Sequence, residues 1–164
     1  MSLSLYKVDE LYNQKLRMID SRVMDLSCSK SSRPFVGILI IINGLNYVAP
    51  LSSPKPKHLK MKNSLDFLKI DGGSLGIINF NNMIPVKQEH LIKIDPSKFI
   101  PNKISDLNYI NLLNKQLSWI NKKINEEKII KKAEKLRTLY ISQKLPKNIE
   151  ERCVNFILLE RMVN

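Results

Sequence analysis

Phe35-Val36-Gly37-Ile38-Leu39-Ile40-Ile41-Ile42-Asn43-Gly44-Leu45-Asn46-Tyr47-Val48-Ala49-Pro50-Leu51 reads as two strands around a tight turn. Phe35 to Ile42 is dense in β-branched and apolar residues, the composition of a buried central strand. Asn43-Gly44 readily takes the two positive-φ positions of a type I′ turn. Leu45 to Leu51 is then the antiparallel return strand. Pairing around a two-residue turn brings the two outer ends of the hairpin together. Arg33, just before the first strand, and Ser52 to Lys55, just after the second, are therefore expected on one side of the sheet.

Working outward, the return strand runs into Ser52-Ser53-Pro54-Lys55-Pro56-Lys57-His58. The prolines stop the strand and stiffen the segment after it, because their φ is fixed and they donate no backbone hydrogen bond. A basic run continues through Lys60 and Lys62. Taken alone it fits a solvated surface turn; beside Arg33 and two hydroxyls it fits phosphate contact. Asp25 to Pro34 reads as a polar loop, with Lys30 and Arg33 adding charge ahead of the hairpin.

The rest of the chain completes an α+β pattern. Leu3 to Val8 suggests a short strand, and Asp9 caps a helix predicted over 10–24, with Tyr12, Leu16, Ile19 and Val23 on one face. Residues 65–70 and 74–80 read as a second hairpin around Asp71-Gly72-Gly73. Met83 to Val86 and Leu91 to Ile94 are short strands, with Pro85 marking an edge. From Ser105 the period becomes helical, giving two helices with a kink expected near Asn125. A short packing helix is expected over 148–163. The whole predicts one domain over 1–164, a twisted antiparallel sheet or partly open barrel flanked by helices.

Composition narrows function. The 164 residues carry 27 Lys+Arg against 15 Asp+Glu, a net charge of +12. Such an excess favours a nucleic-acid partner. Cys28 and Cys153 have neither zinc nor disulfide spacing, and read as a core thiol and a semi-exposed thiol in a reducing compartment. The longest apolar run is too short for a bilayer span, so a cytoplasmic protein is expected. No Gly-rich phosphate loop, nucleophile elbow, histidine-rich metal site or carboxylate cluster stands out. No metal and no cofactor are expected. What fits is phosphoryl chemistry on RNA, which carries its own nucleophile in the 2′-OH. Lysine can remove a proton when a cationic neighbour lowers its pKa; arginine can only clamp and stabilise; serine can orient or relay.

Phe35-Val36-Gly37, Asn43-Gly44 and Tyr47-Val48-Ala49-Pro50-Leu51-Ser52-Ser53-Pro54-Lys55 together resemble the core motif of the ToxN/AbiQ family of endoribonuclease toxins. Leu75-Gly76-Ile77-Ile78-Asn79, Asn82-Met83-Ile84-Pro85, Gln116-Leu117, Cys153 and Asn155-Phe156 to Leu158-Leu159-Glu160 extend the likeness over nearly the whole chain. The resemblance implies a MazF/Kid-like sheet core. It implies metal-independent, sequence-selective RNA cleavage to 2′,3′-cyclic phosphate and 5′-OH ends. It implies inhibition by a small repeated RNA that folds as a pseudoknot and assembles with the toxin, in phage abortive infection. DNA and membrane partners are not expected. The family's catalytic serine and lysine fall on Ser53 and Lys55, the adjacent hydroxyl on Ser52, and its upstream basic residue on Arg33. Some members carry a tyrosine in the upstream loop, where this chain has Ser29 and Lys30. Lys30, Lys57, His58, Lys60 and Lys62 are the expected RNA contacts. The rival expectation is a basic RNA-binding module without catalysis.

Overall fold

The computed structural model describes residues 2–25 and 36–164. Strand β1 (Leu5–Val8) and helix α1 (Glu10–Ile19) come first, followed by the hairpin of β2 (Gly37–Ile42) and β3 (Leu45–Ser52). Asn43 and Gly44 take φ of 50° and 79°, as the turn requires. Helix α2 (Pro56–Lys60), then strands β4 (Phe67–Lys69), β5 (Ile77–Asn79), β6 (Ile84–Val86) and β7 (Leu91–Ile94) come next. Helices α3 (Ile104–Ile120), α4 (Lys123–Ile141), α5 (Lys147–Glu150) and α6 (Phe156–Glu160) close the chain.

The sheet is antiparallel and does not close into a barrel. Its order is β4-β5-β3-β2-β1-β7, with β6 on β3 beside that path. One side of β3 pairs wholly with β2, from Leu45↔Ile42 to Pro50↔Gly37. The other side is shared: Asn46 to Val48 face β6, and Leu51 and Ser52 face β5. Strand alternation turns the nitrogen of Pro50 to this shared side, where it has no hydrogen to donate, and the partner changes there. Pro85, in β6, likewise lies on a strand with one neighbour.

The hairpin supplies the floor of the core through Ile38, Ile40, Ile42, Tyr47 and Val48, all buried. Helix α4 lays Ile129, Ala133 and Leu136 over it, and α6 adds Phe156 and Leu159. Two polar pairs pin the helices. Asn121 takes both backbone groups of Leu3, at 2.7 and 3.0 Å, and Gln116 Nε2 donates to the Leu75 carbonyl at 2.8 Å.

Several boundaries differ from the sequence-based expectation. Helix α1 stops at Ile19 rather than 24, because the Asp20 carboxylate accepts from the backbone N–H of Arg22 and of Asn155. Val23 is buried all the same, from an irregular segment. The helix break falls at Asn121-Lys122, and Asn125 caps it by donating to the Trp119 carbonyl at 2.8 Å. The C-terminal stretch is two short helices. Val154 between them donates its N–H to the Asn81 carbonyl at 2.9 Å, which a continuous helix would not release. Among the described residues, no helix is long and apolar enough to cross a membrane.

Candidate active site

Ser52 is the last residue of β3, and its Oγ accepts from Asn79 Nδ2 at 2.7 Å. Asn79 ends β5, two residues beyond Ile77, the backbone partner of Ser52. The turn leading into β5 presses on this strand end. Gly76 has φ of +95°, and a Cβ there would lie 1.9 Å from the Ser52 carbonyl oxygen. Only glycine lets the backbone come so near. Ser52 is thus held from two sides, while Ser53 and Lys55 beyond it are exposed.

Lys55 sits in extended backbone immediately before α2, with Pro56 in the first helical position, where a missing N–H costs nothing. Its N–H donates to His58 Nδ1 at 3.1 Å, and the His58 N–H returns to the Lys55 carbonyl at 2.9 Å. This is a correction for His58. The basic run is a helical turn rather than a loop, and its imidazole faces inward, 1% exposed, instead of meeting RNA. The wall is close: a Cβ on Gly73 would lie 2.5 Å from the His58 carbonyl oxygen. Burial lowers the His58 pKa, and the Lys57 and Lys55 charges lower it further. At neutral pH the ring is uncharged, its Nδ1 lone pair holding the loop in shape.

Lys57, Lys60 and Lys62 are exposed, as expected of phosphate contacts. Arg33 and Lys30 lie outside the described residues, as does Cys28. The Leu51 N–H donates to the Val36 carbonyl at 3.1 Å, so the outer end of the hairpin does lie beside Ser52. Cys153 is buried, and burial pushes its thiol up to about 12, which leaves it inert as a nucleophile. Among the described residues, no three His, Cys, Asp or Glu side chains gather at metal-binding distance.

The acids are occupied elsewhere. Asp66 is 0% exposed and accepts from Arg152, Ser64 and Asn81 at 2.6–3.0 Å. Burial acts to raise its pKa, and these three partners outweigh it, so it stays below the usual carboxylate range. Glu160 behaves in the same way between Arg137 and the Tyr47 hydroxyl. An exposed serine and lysine on a fixed strand end, with Asp66 and Glu160 already paired to arginines, make a cationic surface suited to a phosphodiester.

An open antiparallel sheet with helical cover thus presents a Ser-Ser-Pro-Lys strand end. The sequence profile of the family described as "Toxin ToxN, type III toxin-antitoxin system" matches residues 4–164, and the chain belongs to that family. A curated relative, Endoribonuclease ToxN of Pectobacterium atrosepticum, is 31% identical over 166 residues, covering 96% of this chain and 90% of the relative. Endoribonuclease ToxN of Bacillus thuringiensis subsp. kurstaki is 34% identical over 125 residues, covering 76% of this chain but 62% of that relative's length. A solved toxin structure concerned with selective inhibition by a non-coding RNA pseudoknot superposes with a TM-score of 0.77 at 28% identity, covering 99% of this chain and 96% of that one. A second, from a bacterial antiviral system regulated by a processed non-coding RNA, gives 0.75 at 30% identity over 96% and 95%.

The sequence reading did not pair Asn79 with Ser52, which lies 27 positions away on another strand.

Proposed function

We propose that this chain is an endoribonuclease toxin of a type III toxin–antitoxin system. It cleaves single-stranded RNA without a metal, is held inactive by a small repeated RNA folded as a pseudoknot, and acts against phage. The observation that carries the reading is the Ser52–Lys55 strand end, half-buried and hydrogen-bonded at Ser52 and exposed from Ser53 on, in a chain of this family. In the reaction, the substrate 2′-OH attacks the adjacent phosphorus in line. The bond to the 5′ oxygen breaks, leaving a 2′,3′-cyclic phosphate and a 5′-OH. One proton must leave the 2′ oxygen and one must reach the 5′ oxygen.

Lys55 meets the reacting phosphate, as base or as charge stabiliser, and Ser53 beside it orients or relays. Asn79 is a positioning residue. Its N–H occupies a lone pair of Ser52 Oγ, which leaves the Ser52 O–H available to donate to a substrate phosphate. Arg33 is assigned to clamp the charge that develops on the phosphoryl oxygens, since a guanidinium does not deprotonate. Lys57, Lys60 and Lys62 steady the backbone on either side; Lys30 adds to them.

The test uses purified protein and a defined single-stranded RNA in EDTA, with both product ends mapped. Cyclic-phosphate and 5′-OH ends, lost by about 10²–10⁴-fold in Ser53→Ala and Lys55→Ala, are the expected result. Cleavage that needs added metal, or that survives both substitutions, overturns the mechanism.

A further inference from the structure

After α2 the chain turns back along the outside of β4. Lys69 Nζ, on β4, donates to the Met61 carbonyl at 3.0 Å, and Ser64 bridges antiparallel to Phe67. This strip therefore carries Lys60 and Lys62 from the Ser52–Lys55 end of the sheet toward the start of β4. There it meets α4. A groove opens between them, lined by Leu65 on the strip and by Ile124, Glu127, Lys128, Lys131, Lys132 and Lys135 on the helix. The spacing 128, 131/132, 135 puts the four ammonium groups on one helical face, in a row about 10 Å long.

The groove is charged in one direction. Glu127 is its one acidic lining residue. Asp66, just behind Leu65, is already held by Arg152. None of the four lysines forms an ion pair among the described residues. Burial and then the Lys128 charge lower the Lys132 pKa, with Asp66 pulling the other way and Lys135 adding a lesser push downward. The like charges are crowded, and a polyanion relieves the repulsion. Its floor is apolar: Ile124 is 75% exposed, and Leu65 is half-buried beside it.

We infer that this groove is an exosite for the single-stranded RNA being cut, which leaves the Ser52–Lys55 loop along Lys57, Lys60 and Lys62 and lays its phosphates on the α4 lysines. This rests on the ribonuclease reading. The cation row matches the phosphate backbone, and the apolar floor matches ribose and base edges. Continuity with the candidate site favours the substrate strand over a separately docked partner. The strand is read by charge and not by base, so the groove adds affinity for length and no sequence preference.

The test compares fluorescein-labelled 2′-O-methyl RNAs of 6 and 24 nucleotides, which lack the attacking hydroxyl, by anisotropy against the full chain. The variant carries Lys128→Gln, Lys131→Gln, Lys132→Gln and Lys135→Gln. It should bind the 24-mer roughly tenfold or more weakly, and its slope of log affinity against log salt should be shallower by about 2–3. The 6-mer should bind as to the unaltered protein. The corresponding four Lys→Arg changes should restore 24-mer binding, which also guards against a folding defect in the Gln variant. Gln at Lys93, Lys98, Lys103 and Lys115, exposed elsewhere, should cost the 24-mer far less. Equal loss for both lengths, equal loss in the control variant, or unchanged 24-mer binding each overturns the exosite. So does a defect confined to a pseudoknot RNA of the same length, which would assign the groove to a folded partner. If the unaltered protein binds neither RNA, it is the ribonuclease reading that fails.

Discussion

Arg137 and Lys55 carry the same charge in opposite settings. The Arg137 fork lies inside the molecule on both oxygens of Glu160, at 2.6 and 3.0 Å, with the Tyr47 hydroxyl on the same carboxylate. Lys55 is exposed on a strand end, with no carboxylate within ion-pair distance among the described residues. Arg22 on Asp20 and Arg152 on Asp66 repeat the bidentate grip on a buried acid, from side chains that are themselves exposed. Lys57, Lys60 and Lys62 repeat the second. A guanidinium is weakly hydrated and matches a carboxylate bidentately, so it tolerates partial burial. An ammonium is strongly hydrated and stays in water until a phosphate replaces that water. The outcome is a division of labour: arginines cancel the buried acids, and the excess of positive charge is presented by lysines. Stability and RNA affinity should therefore respond to different residues.

The largest effect that could break this division is Arg137→Met. It strands Glu160, whose side chain is 12% exposed, with Tyr47 as its remaining partner. Removing one member of a buried pair costs about 3–5 kcal/mol. For a chain of this size that lowers Tm by roughly 6–20 °C. Lys55→Met should leave Tm unchanged while abolishing cleavage. Calorimetry of the two variants decides it: equal Tm shifts would mean that the lysines are structural too.

A smaller effect sharpens the comparison at Asn79, which belongs to neither class. Losing its hydrogen bond to Ser52 should lower kcat about tenfold, the equivalent of about 1–1.5 kcal/mol, with KM unchanged. Asn79→Asp should do no better than Asn79→Ala, since an ionised carboxylate accepts where the amide donates. In a Ser52→Ala background, Asn79→Ala should add nothing further. A full second loss in that background would show that Asn79 does not act through Ser52.

How much of the fold and site was legible in the sequence depends on how local each cause is. The β2–β3 hairpin was readable because Asn43-Gly44 and the run 35–42 contain their own instructions. So was the end of β3, where Pro54 and Pro56 stop a strand whatever lies around it. The stop of α1 was not, because the N–H that holds Asp20 belongs to Asn155, 135 residues away. The split of the C-terminal helix depends on Asn81, also far away in sequence. Ser52 to Lys55 stand out by their neighbours in the chain, whereas the Asn79 contact to Ser52 crosses from one strand to another and leaves no local sign. His58 misled for a related reason. A histidine in a lysine run looks exposed, and its burial, with Nδ1 accepting from the Lys55 N–H, becomes visible only once the α2 turn is folded.

The smallest effect is pH dependence at that ring, which separates the loop from the buried pairs. The folded His58 pKa lies below its ordinary value of about 6.5, for reasons of burial and of the Lys57 and Lys55 charges. The unfolded chain then binds more protons in the interval between the two values, so stability rises with pH across it. Its contribution is complete above about pH 6.5 and is lost as the pH falls from there toward the folded pKa. Protonation also removes the acceptor for the Lys55 N–H, a hydrogen bond contributing about 1 kcal/mol. Asp20, Asp66 and Glu160 have lowered pKa values and titrate in a more acidic window. Between pH 7 and 5, Tm of the unaltered protein should fall more steeply than that of His58→Gln, which cannot titrate. The backbone amides of 55–58 should gain hydrogen exchange in the same interval while those of β2 do not. Parallel Tm curves for the two proteins would show that the imidazole does not hold the loop.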